Sequence, residues 1–503
     1  MIYDALALLG GLLLPFAFAP FERPIFAVVA LVLLFVAWLR STPGQALRRG
    51  LWFGLGQFGL GTSWIYLSMH DYGGASVIEA GALTAFFSFF WAMYPAAAGW
   101  LAVRFFPGSP AFKAVAVFPA AFILSEWLRS WFPTGFPWLQ VGYSQLDTPL
   151  AGFAPVFGVY GVGWAVALLA SLLLILPRKT GGWRQVPFVL ILLLIAIAAT
   201  LKGVNWTQPA GERFKVALLQ GNTPQDQKWQ PEFQRATLNM YAGMTREHWD
   251  AKLVVWPETS VPAFYQQVKD TFLAKLSEEA RSHCTDLIVG IPFYDATEDR
   301  YYNSVAALGP PARFYFKRHL VPFGEYVPIR PLLGWVLDIL QIPLSDFAAG
   351  DDGQALLRAA GHPLAASICY EDIFGHESLM GLPEAAYLVN VTNDAWFGDS
   401  MAPHQHVQMA RMRALETGRW MLRATNSGIT AIIDPKGHIT ARLPMFQKAS
   451  LAGEIVPMQG RTPYVLWGDL PAVAALLALL AGAAWRCRKA GAGRIAGANP
   501  IRH

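Results

Sequence analysis

Apolar stretches separated by short polar connections make up about the first two hundred residues of the chain. Each stretch approaches the roughly 20 residues that an α-helix needs to cross a bilayer. We therefore predict seven membrane-spanning helices in this part and an eighth after a long polar region. Their approximate ranges are 4–20, 24–40, 51–69, 77–103, 111–131, 155–177, 186–201 and 464–485. We expect the first helix to remain in the mature protein, because it lacks the basic region and the cleavage site of a signal peptide.

The polar region, about 202–462, alternates short apolar runs rich in β-branched residues with amphipathic stretches. Such runs are typical of strands buried on both faces of a sheet, and they lie at Phe214–Leu219, Leu253–Val255, Leu287–Ile291, Ser304–Leu308, Ala365–Ile368 and Tyr387–Val391. Stretches with helical spacing lie at Pro231–Trp249, Val268–His283 and His404–Arg419. The alternation predicts an α/β domain in which helices cover sheets. We divide the chain into a membrane domain at 1–201, an extramembrane domain at 202–462, and a last helix with a basic tail at 463–503.

The composition excludes an ordinary soluble protein, since 54% of the 503 residues are hydrophobic and 15% are charged, against about 25% charged in soluble proteins. The 39 Lys and Arg residues and the 34 Asp and Glu residues leave a net charge of +5. A protein that binds nucleic acid would concentrate many more cations on one face. The chain also lacks the glycine-rich loops that bind nucleotide phosphates. We predict no nucleic acid, nucleotide or other cofactor.

Basic residues near the predicted helix ends indicate the orientation, because Lys and Arg are retained in cytoplasmic loops. Most of them lie on one side, at Arg40, Arg48, Arg49, Arg104, Lys113, Arg178, Lys179, Arg184, Arg486, Arg488, Lys489, Arg494 and Arg502. The short loops on the opposite side contain Arg23 and Arg129. We therefore expect both termini in the cytoplasm and the 202–462 domain outside, which in a Gram-negative cell is the periplasmic side of the inner membrane.

Three segments of the outer domain end an apolar run with a polar side chain, where layered α/β folds usually carry their sites. They supply the carboxylate of Glu258, the ammonium of Lys317 and the thiol of Cys369. Taken singly, each has an ordinary explanation, because free cysteines are often core residues and exposed ion pairs are weak. The other cysteines, Cys284 and Cys487, are too distant in sequence for a CxxC pair, and we expect both to be inert.

Together, and in the order glutamate, lysine, cysteine, the three residues resemble the catalytic triad of the nitrilase superfamily. Within that superfamily the chain is more similar still to the bacterial apolipoprotein N-acyltransferase family. The resemblance rests on Trp256-Pro-Glu258, Lys317-Arg-His-Leu-Val-Pro-Phe-Gly-Glu-Tyr-Val-Pro328, Ile368-Cys-Tyr-Glu-Asp372, Pro133-Thr-Gly-Phe-Pro-Trp138 and Gly142-Tyr-Ser-Gln145. It extends over nearly the whole chain, with all three triad positions filled.

The resemblance implies a membrane domain of eight transmembrane helices and an outer α/β domain built as a nitrilase-like α-β-β-α sandwich. It also implies an acyltransferase whose acyl donor is a membrane phospholipid. The acceptor would be the α-amino group of the S-diacylglyceryl cysteine that begins an apolipoprotein. Two lipid substrates are consistent with membrane helices, for which a soluble amidase has no use.

The chemistry of such a site can be stated for these residues. A free thiol has a pKa of about 8.5, so it needs a base or a positive field to become a thiolate. Glu258 is suited to be the base, and Lys317 to supply the field. Attack on an ester would create an oxyanion, which the Lys317 ammonium and the backbone N–H of Tyr370 are expected to stabilise. The resulting thioester on Cys369 would then be discharged by an amine, in a ping-pong acyl transfer.

Three further residues match positions of the family. Glu325 corresponds to an additional glutamate, and we expect it to hold Lys317 in place. Glu371 either orients the thiol or the substrate amine, or has a purely structural role. Trp229 corresponds to an aromatic residue that contacts substrate, with a packed indole as the alternative.

Other features leave their alternatives open. The apolar segments Trp335–Leu340 and Trp396–Phe397 are either lids that close over acyl chains or parts of the core. His404 and His406 stand two residues apart, without a cysteine or carboxylate at ligand spacing, so we predict no metal site.

Two other functions compete with acyl transfer to an amine. The first is a membrane-tethered amidohydrolase of the nitrilase type, in which water discharges the thioester. The second is a transporter or binding module whose outer domain is an inactive scaffold. The predicted helices disfavour the second function, because they carry few of the charges that mark solute pathways, with Glu79 and Glu126 as the main candidates.

Overall fold

The computed structural model describes residues 1–176, 185–328, 331 and 346–496. The chain forms two compact units. The helical unit comprises Met1–Ser63, Gly81–Val204 and Asp469–His503, and the α/β unit comprises Trp64–Ala80 and Asn205–Gly468. One predicted lid and four basic residues of the orientation argument lie outside the described residues: Trp335–Leu340, Arg178, Lys179, Arg184 and Arg502.

Apolar α-helices joined by short connections make up the helical unit. The longer helices are Ile2–Leu13, Ile25–Leu39, Pro43–Gly61, Val77–Phe105, Phe118–Arg129, Ala154–Ile175, Gln185–Gly203 and Leu470–Ala496. Short helical turns cover Leu14–Ala17, Pro110–Phe112, Lys113–Val117, Val141–Gln145 and Pro149–Phe153. By length and composition, the helical segments able to cross a membrane are Val77–Phe105, Pro110–Arg129, Pro149–Ile175, Gln185–Gly203 and Leu470–Lys489. Several apolar helices are thus confirmed, whereas the count of eight spans stays a prediction.

The third predicted span, 51–69, is displaced, because the observed helix covers Pro43–Gly61. A capping box at Thr42 begins this helix eight residues before the predicted start. The prediction places Arg49 in a connection, since charged residues are costly within a membrane. In the structure the Arg49 guanidinium lies 3.3 Å from the Asp4 carboxylate, so a second helix pairs the charge.

Most of the strands of the α/β unit form two six-stranded sheets. The strands are β1 (Thr207–Pro209), β2 (Phe214–Gln220), β3 (Leu253–Val255), β4 (Asp286–Asp295), β5 (Arg300–Leu308), β6 (Arg313–Phe316), β7 (Leu357–Ala359), β8 (His362–Ile368), β9 (Tyr387–Thr392), β10 (Met421–Thr425), β11 (Ala431–Ile433), β12 (Ile439–Arg442), β13 (Ala449–Ile455) and β14 (Met458–Gly460). The first sheet has the order β13-β2-β3-β4-β5-β6 and the second β12-β11-β10-β9-β8-β7, while β1 pairs with β14. β2, β3 and β4 run parallel, as do β8, β9 and β10, and the other neighbours are antiparallel.

Successive residues of each strand fill different layers, because they point to opposite faces of the sheet. Val216 of β2 and Val389 of β9 lie in the core between the two sheets. Ala217, the next residue of β2, belongs to the cluster beneath the helix Pro231–Arg246. The helix Met401–Thr417 covers the outer face of the second sheet. The layers therefore follow the predicted order of helix, sheet, sheet, helix.

The helix predicted at Val268–His283 is not continuous. The structure divides this part into Tyr265–Val268, a wider π-type turn at Lys269–Leu273, and Ala274–Ser282. The buried positions Val268 and Leu273 lie five residues apart across this turn, against three or four in a regular α-helix, and the regular interval resumes between Leu273 and Leu276.

The helix predicted at His404–Arg419 begins earlier, at Met401, where the Ser400 hydroxyl accepts the Ala402 N–H at 3.2 Å. It ends before Gly418, whose φ of 63° is the left-handed conformation typical of a helix end.

Candidate active site

The ends of three strands bring the predicted catalytic residues together. Glu258 follows β3 by three residues, Lys317 directly follows β6, and Cys369 directly follows β8. The Lys317 Nζ lies 3.8 Å from Glu258 Oε1. The charges of Glu258 and Lys317 both act on the Cys369 thiol. The structure thus places the three side chains in one cluster, in which Glu258 and Lys317 are buried and Cys369 is partly exposed, although they come from two different sheets.

The turn that carries Glu258 is held tightly against β4. The Trp256 N–H donates to the Ile288 carbonyl at 2.8 Å, which continues the pairing beyond the end of β3. A Cβ on Gly290 would lie 2.2 Å from the Pro257 carbonyl oxygen, so the close approach of the two backbones requires glycine at this position. Position 290 therefore has no room for a side chain while Glu258 keeps its place.

Lys317 is the cationic centre of the cluster, with 1% of its surface exposed. Its Nζ lies 2.8 Å from Glu325 Oε2, closer than to Glu258. Burial by itself lowers the pKa of Lys317, but the negative charges of Glu325, Glu258 and Cys369 outweigh burial and raise that pKa well above its usual value. Lys317 therefore stays an ammonium ion throughout the neutral range.

Asn303, which is not among the residues predicted from the sequence, links Glu258 and Glu325. Its Nδ2 donates to Glu258 Oε1 at 2.7 Å and to Glu325 Oε1 at 3.0 Å. Its backbone carbonyl accepts the Lys317 N–H at 2.9 Å. In the sequence, Asn303 is a single amide residue just before the predicted strand Ser304–Leu308. In the structure that strand is longer, and β5 includes Asn303.

Cys369 occupies a sharp turn at the end of β8, where its φ of 51° lies in the left-handed region. A non-glycine residue there is strained, and such strain is common at functional sites. Burial raises the pKa of the Cys369 thiol, and the charge of Glu258 adds to this effect, while Lys317 opposes it. The resting sulfur is consequently a protonated thiol that needs a base.

A buried polar network supports the nucleophile turn from behind. The Asn390 side chain donates to the Cys369 carbonyl at 3.4 Å. Arg423 donates to Asn390 at 2.7 Å and also bonds Asp372 and Asp394. All these groups except Cys369 are buried, and Asn390 and Arg423 are paired residues of the neighbouring strands β9 and β10, so the network fixes the turn against the second sheet.

His406 belongs to the same network. Its Nε2 lies 2.7 Å from Asp372 Oδ1 and its Nδ1 lies 2.9 Å from Asp394 Oδ1. Burial and the Arg423 charge lower the pKa of His406, but the two aspartates outweigh them and raise it above its usual value. Since both ring nitrogens face carboxylates, His406 acts as a bridge between two acidic side chains.

Glu371 is buried and braces the cluster. Its carboxylate accepts the N–H of Ile368 at 2.7 Å and that of Arg318 at 2.7 Å, joining the nucleophile turn to the chain after Lys317. The Tyr315 hydroxyl also donates to it, at 3.0 Å. Burial raises the pKa of Glu371 to about 7. These contacts agree with the structural alternative for Glu371.

Tyr370 and Trp229 are both half-buried. The Tyr370 ring lies 5.1 Å from Phe374 and 5.8 Å from His319. Trp229 lies in a turn that precedes the helix Pro231–Arg246.

Trp396 and Phe397, one of the two predicted lids, pack against the amino-terminal part of the α/β unit. The Phe397 ring lies 4.8 Å from Trp64, and the Trp396 ring lies 6.3 Å from Tyr72. The Ser68 hydroxyl donates to the Trp396 carbonyl at 2.8 Å. Both aromatic residues are half-buried, so they have packing partners on one side and solvent on the other.

Among the described residues, one group of side chains outside the triad has ligands suited to a divalent metal. The ligand atoms of His319, His376 and Glu377 lie within 4.8 Å of one another. The Arg318 guanidinium, however, already lies 2.8 Å from Glu377 Oε2. Because this cation neutralises the carboxylate, we assign no metal to the group.

Comparisons with known proteins give matches in both parts of the chain. Residues 10–172 match the family model of the apolipoprotein N-acyltransferase N-terminal domain, and residues 215–461 match that of the carbon-nitrogen hydrolase. The apolipoprotein N-acyltransferase of Methylococcus capsulatus is 59% identical over 471 residues, covering 93% of each chain. That of Nitrosomonas europaea is 46% identical over 470 residues, covering 92% of this chain and 94% of the other.

Among solved structures, the C. elegans NitFhit protein is similar with a TM-score of 0.40 and 16% identity, over 53% of this chain and 63% of that one. The two relatives described above align with this chain over more than nine tenths of its length, at 59% and 46% identity. The chain therefore belongs to the apolipoprotein N-acyltransferase family.

Proposed function

We propose that the protein transfers a fatty acyl chain from a membrane phospholipid to the α-amino group of the S-diacylglyceryl cysteine of an apolipoprotein. The observation that carries this proposal is the buried Lys317 ammonium, which lies between Glu258 and Glu325 beside the Cys369 thiol. A thiol, a carboxylate base and an ammonium ion are the groups that acyl transfer through a thioester requires. The same chain has apolar helices long enough to cross a membrane, where its lipid substrates lie.

The first half-reaction acylates the enzyme. As the Cys369 sulfur attacks the ester carbonyl carbon of the phospholipid, its proton passes to Glu258 and a C–S bond forms. The Lys317 ammonium and the Tyr370 backbone N–H stabilise the oxyanion. When the C–O bond to glycerol breaks, the glycerol oxygen takes the proton from Glu258. The products are a thioester and a lysophospholipid.

The second half-reaction transfers the chain to the amine. The amine nitrogen attacks the thioester carbonyl, and its surplus proton passes to Glu258. The C–S bond breaks, and the sulfur recovers its proton from Glu258. The result is an amide on the apolipoprotein and a free Cys369.

The contacts distinguish the roles of the two glutamates. Glu325 lies 2.8 Å from the Lys317 ammonium and accepts the Val321 N–H at 2.8 Å. Its carboxylate therefore holds Lys317 in position. In the described part of the chain, the Glu258 carboxylate accepts a single hydrogen bond, from Asn303, and lies 3.8 Å from Lys317. Glu258 is therefore the carboxylate free to take a proton.

The location follows from the same substrates. We propose an inner-membrane protein with eight transmembrane helices, cytoplasmic termini and a periplasmic catalytic domain. The domain limits 1–201, 202–462 and 463–503 belong to this proposal. A catalytic thiol on that side meets apolipoproteins after their export.

Intact-mass analysis of the purified protein incubated with phosphatidylethanolamine tests the function. We expect a hydroxylamine-sensitive gain of one fatty acyl mass on Cys369, discharged by a diacylated lipopeptide with a free amino terminus. Cys369→Ser and Glu258→Ala should not form the thioester. An adduct that water discharges at the same rate without the lipopeptide would instead identify an amidohydrolase, and acyl transfer by Cys369→Ser would refute the mechanism.

A further inference from the structure

A second lysine lies inside the cluster, and the mechanism above does not use it. Lys228 is 3% exposed, although it lies in the irregular segment before the helix Pro231–Arg246. Its Nζ donates to the Glu258 carbonyl at 3.2 Å and to the Thr259 hydroxyl. Lysine is almost never fully buried unless it is paired, so its position here calls for a partner or a function.

The two acceptors lie on either side of one peptide bond. Glu258 contributes its carbonyl, and Thr259 contributes its side chain. Thr259 has a φ of 45°, a strained conformation for a β-branched residue. The two hydrogen bonds of Lys228 therefore stabilise the strained turn that carries Glu258, the proposed base.

The charge of Lys228 also reaches the reacting groups. Burial lowers the pKa of Lys228 to about 8, while the charges of Glu258 and Cys369 oppose that decrease. Among the charged groups that act most strongly on the Cys369 thiol are Glu258, Lys317 and Asp394. Lys317 is the cation of that set, and the Lys228 Nζ, bonded to the Glu258 carbonyl, brings a second cation to the same cluster.

We propose that Lys228 is a positioning residue for the acylation step. It holds the Glu258 turn by its two hydrogen bonds, and its positive charge helps to stabilise the thiolate of Cys369 as the proton leaves. The inference deepens the proposed function and rests on it. Unlike Lys317, which two carboxylates keep charged, Lys228 loses its charge near the upper end of the neutral range.

The test measures thiolate formation without any lipid substrate. Alkylation of Cys369 by iodoacetamide is followed between about pH 6 and pH 10 by peptide mass, which separates Cys369 from Cys284 and Cys487. Lys228→Met keeps the length and apolar stem of the side chain but removes the cation. The matched control is Lys215→Met on β2, which removes a lysine from an exposed ion pair with Asp250.

We expect Lys228→Met to shift the alkylation profile to higher pH and to slow alkylation near neutrality by about tenfold, the effect of one unit in the thiol pKa. Lys215→Met should match the wild-type protein. Lys228→Arg keeps a cation that does not titrate, so above about pH 8 it should react faster than the wild type. A Lys228→Met profile identical to that of the wild type would overturn the proposal.

Two further measurements keep the outcome decisive. Circular dichroism shows whether Lys228→Met folds. If it does not, the alkylation profile of Lys228→Arg becomes the test. A Lys228→Arg profile that coincides with that of the wild type at all pH values would refute the charge role of Lys228. Acyl transfer by Cys369→Ser would disprove the thioester mechanism itself. That result is independent of the alkylation profiles, so the two failures can be told apart.

Discussion

Replacing Glu325 with glutamine tests how strongly the cluster depends on its second carboxylate. The substitution keeps the shape of the side chain and its acceptor oxygen for the Val321 N–H, but removes the charge 2.8 Å from the Lys317 ammonium. At that distance, two unit charges attract by about 6 kcal/mol for an effective dielectric constant of about 20. Since part of this attraction offsets desolvation, we expect the free energy of unfolding to fall by about 3–5 kcal/mol.

Activity should fall for a related reason. Without Glu325, the Lys317 ammonium has Glu258 as its remaining carboxylate partner, now 3.8 Å away. A closer ion pair would make Glu258 a weaker base, because a neighbouring cation stabilises the ionised carboxylate. We expect acylation of Cys369 to slow by about a hundredfold, within the usual contribution of general base catalysis.

The assay combines urea unfolding with the rate of thioester formation from phosphatidylethanolamine, measured by mass. The control is Glu279→Gln, which removes an exposed carboxylate 2.8 Å from Arg246. That change should cost less than about 1 kcal/mol and leave the acylation rate unaltered. If Glu325→Gln acylates within about threefold of the wild type, the positioning role of Glu325 is wrong.

Two further predictions concern the support of the site. His406→Gln should lower the free energy of unfolding by about 3 kcal/mol, because it removes one of the two side chains that bridge the buried Asp372 and Asp394 and leaves them to Arg423. Since the folded pKa of His406 is raised, its stabilisation is complete below the unfolded pKa of about 6.5 and is lost as the pH rises through the folded value. The stability gap between wild type and variant, measured by urea unfolding, should therefore be larger at about pH 6 than at about pH 9, with the exposed His438→Gln showing neither effect. Gly290→Ala should lower the free energy of unfolding by about 1–3 kcal/mol and slow acylation, because its Cβ would meet the Pro257 carbonyl. Gly243→Ala, whose Cβ meets nothing within 4 Å, should instead stabilise its helix by about 0.5–1 kcal/mol, and equal behaviour of the two alanine variants would contradict the packing argument.

The proposed triad was accessible from the sequence because each member follows a short apolar run by at most three residues. Glu258 and Cys369 follow strands that the sequence predicts from β-branched runs, whereas Lys317 follows the aromatic run Arg313–Phe316, which has no β-branched residue. In the folded chain, the ends of β3 and β6 in the first sheet lie beside the end of β8 in the second. The family resemblance supplied the order and the flanking motifs on which the assignment rested.

The groups that surround the triad could not be predicted in this way. Asn303 is 45 residues from Glu258 and 22 from Glu325, yet it bonds both. Lys228 stands 30 residues from Glu258 and looks like an ordinary polar residue of a turn. His406 has no ligand-like neighbour in the chain, because its partners come from other elements.

The sequence by itself determined the apolar helices and the buried strands, since these follow from the spacing of hydrophobic residues along one short segment, whereas the layer order came from the family resemblance. It also identified the family. Tertiary structure decided which charges meet and therefore what each titratable group does. The pKa of Lys317 rises and that of Lys228 falls, although both are buried lysines, because two carboxylates lie beside the first and mainly uncharged acceptors beside the second. Such differences arise from distances between remote segments, which only the folded chain sets.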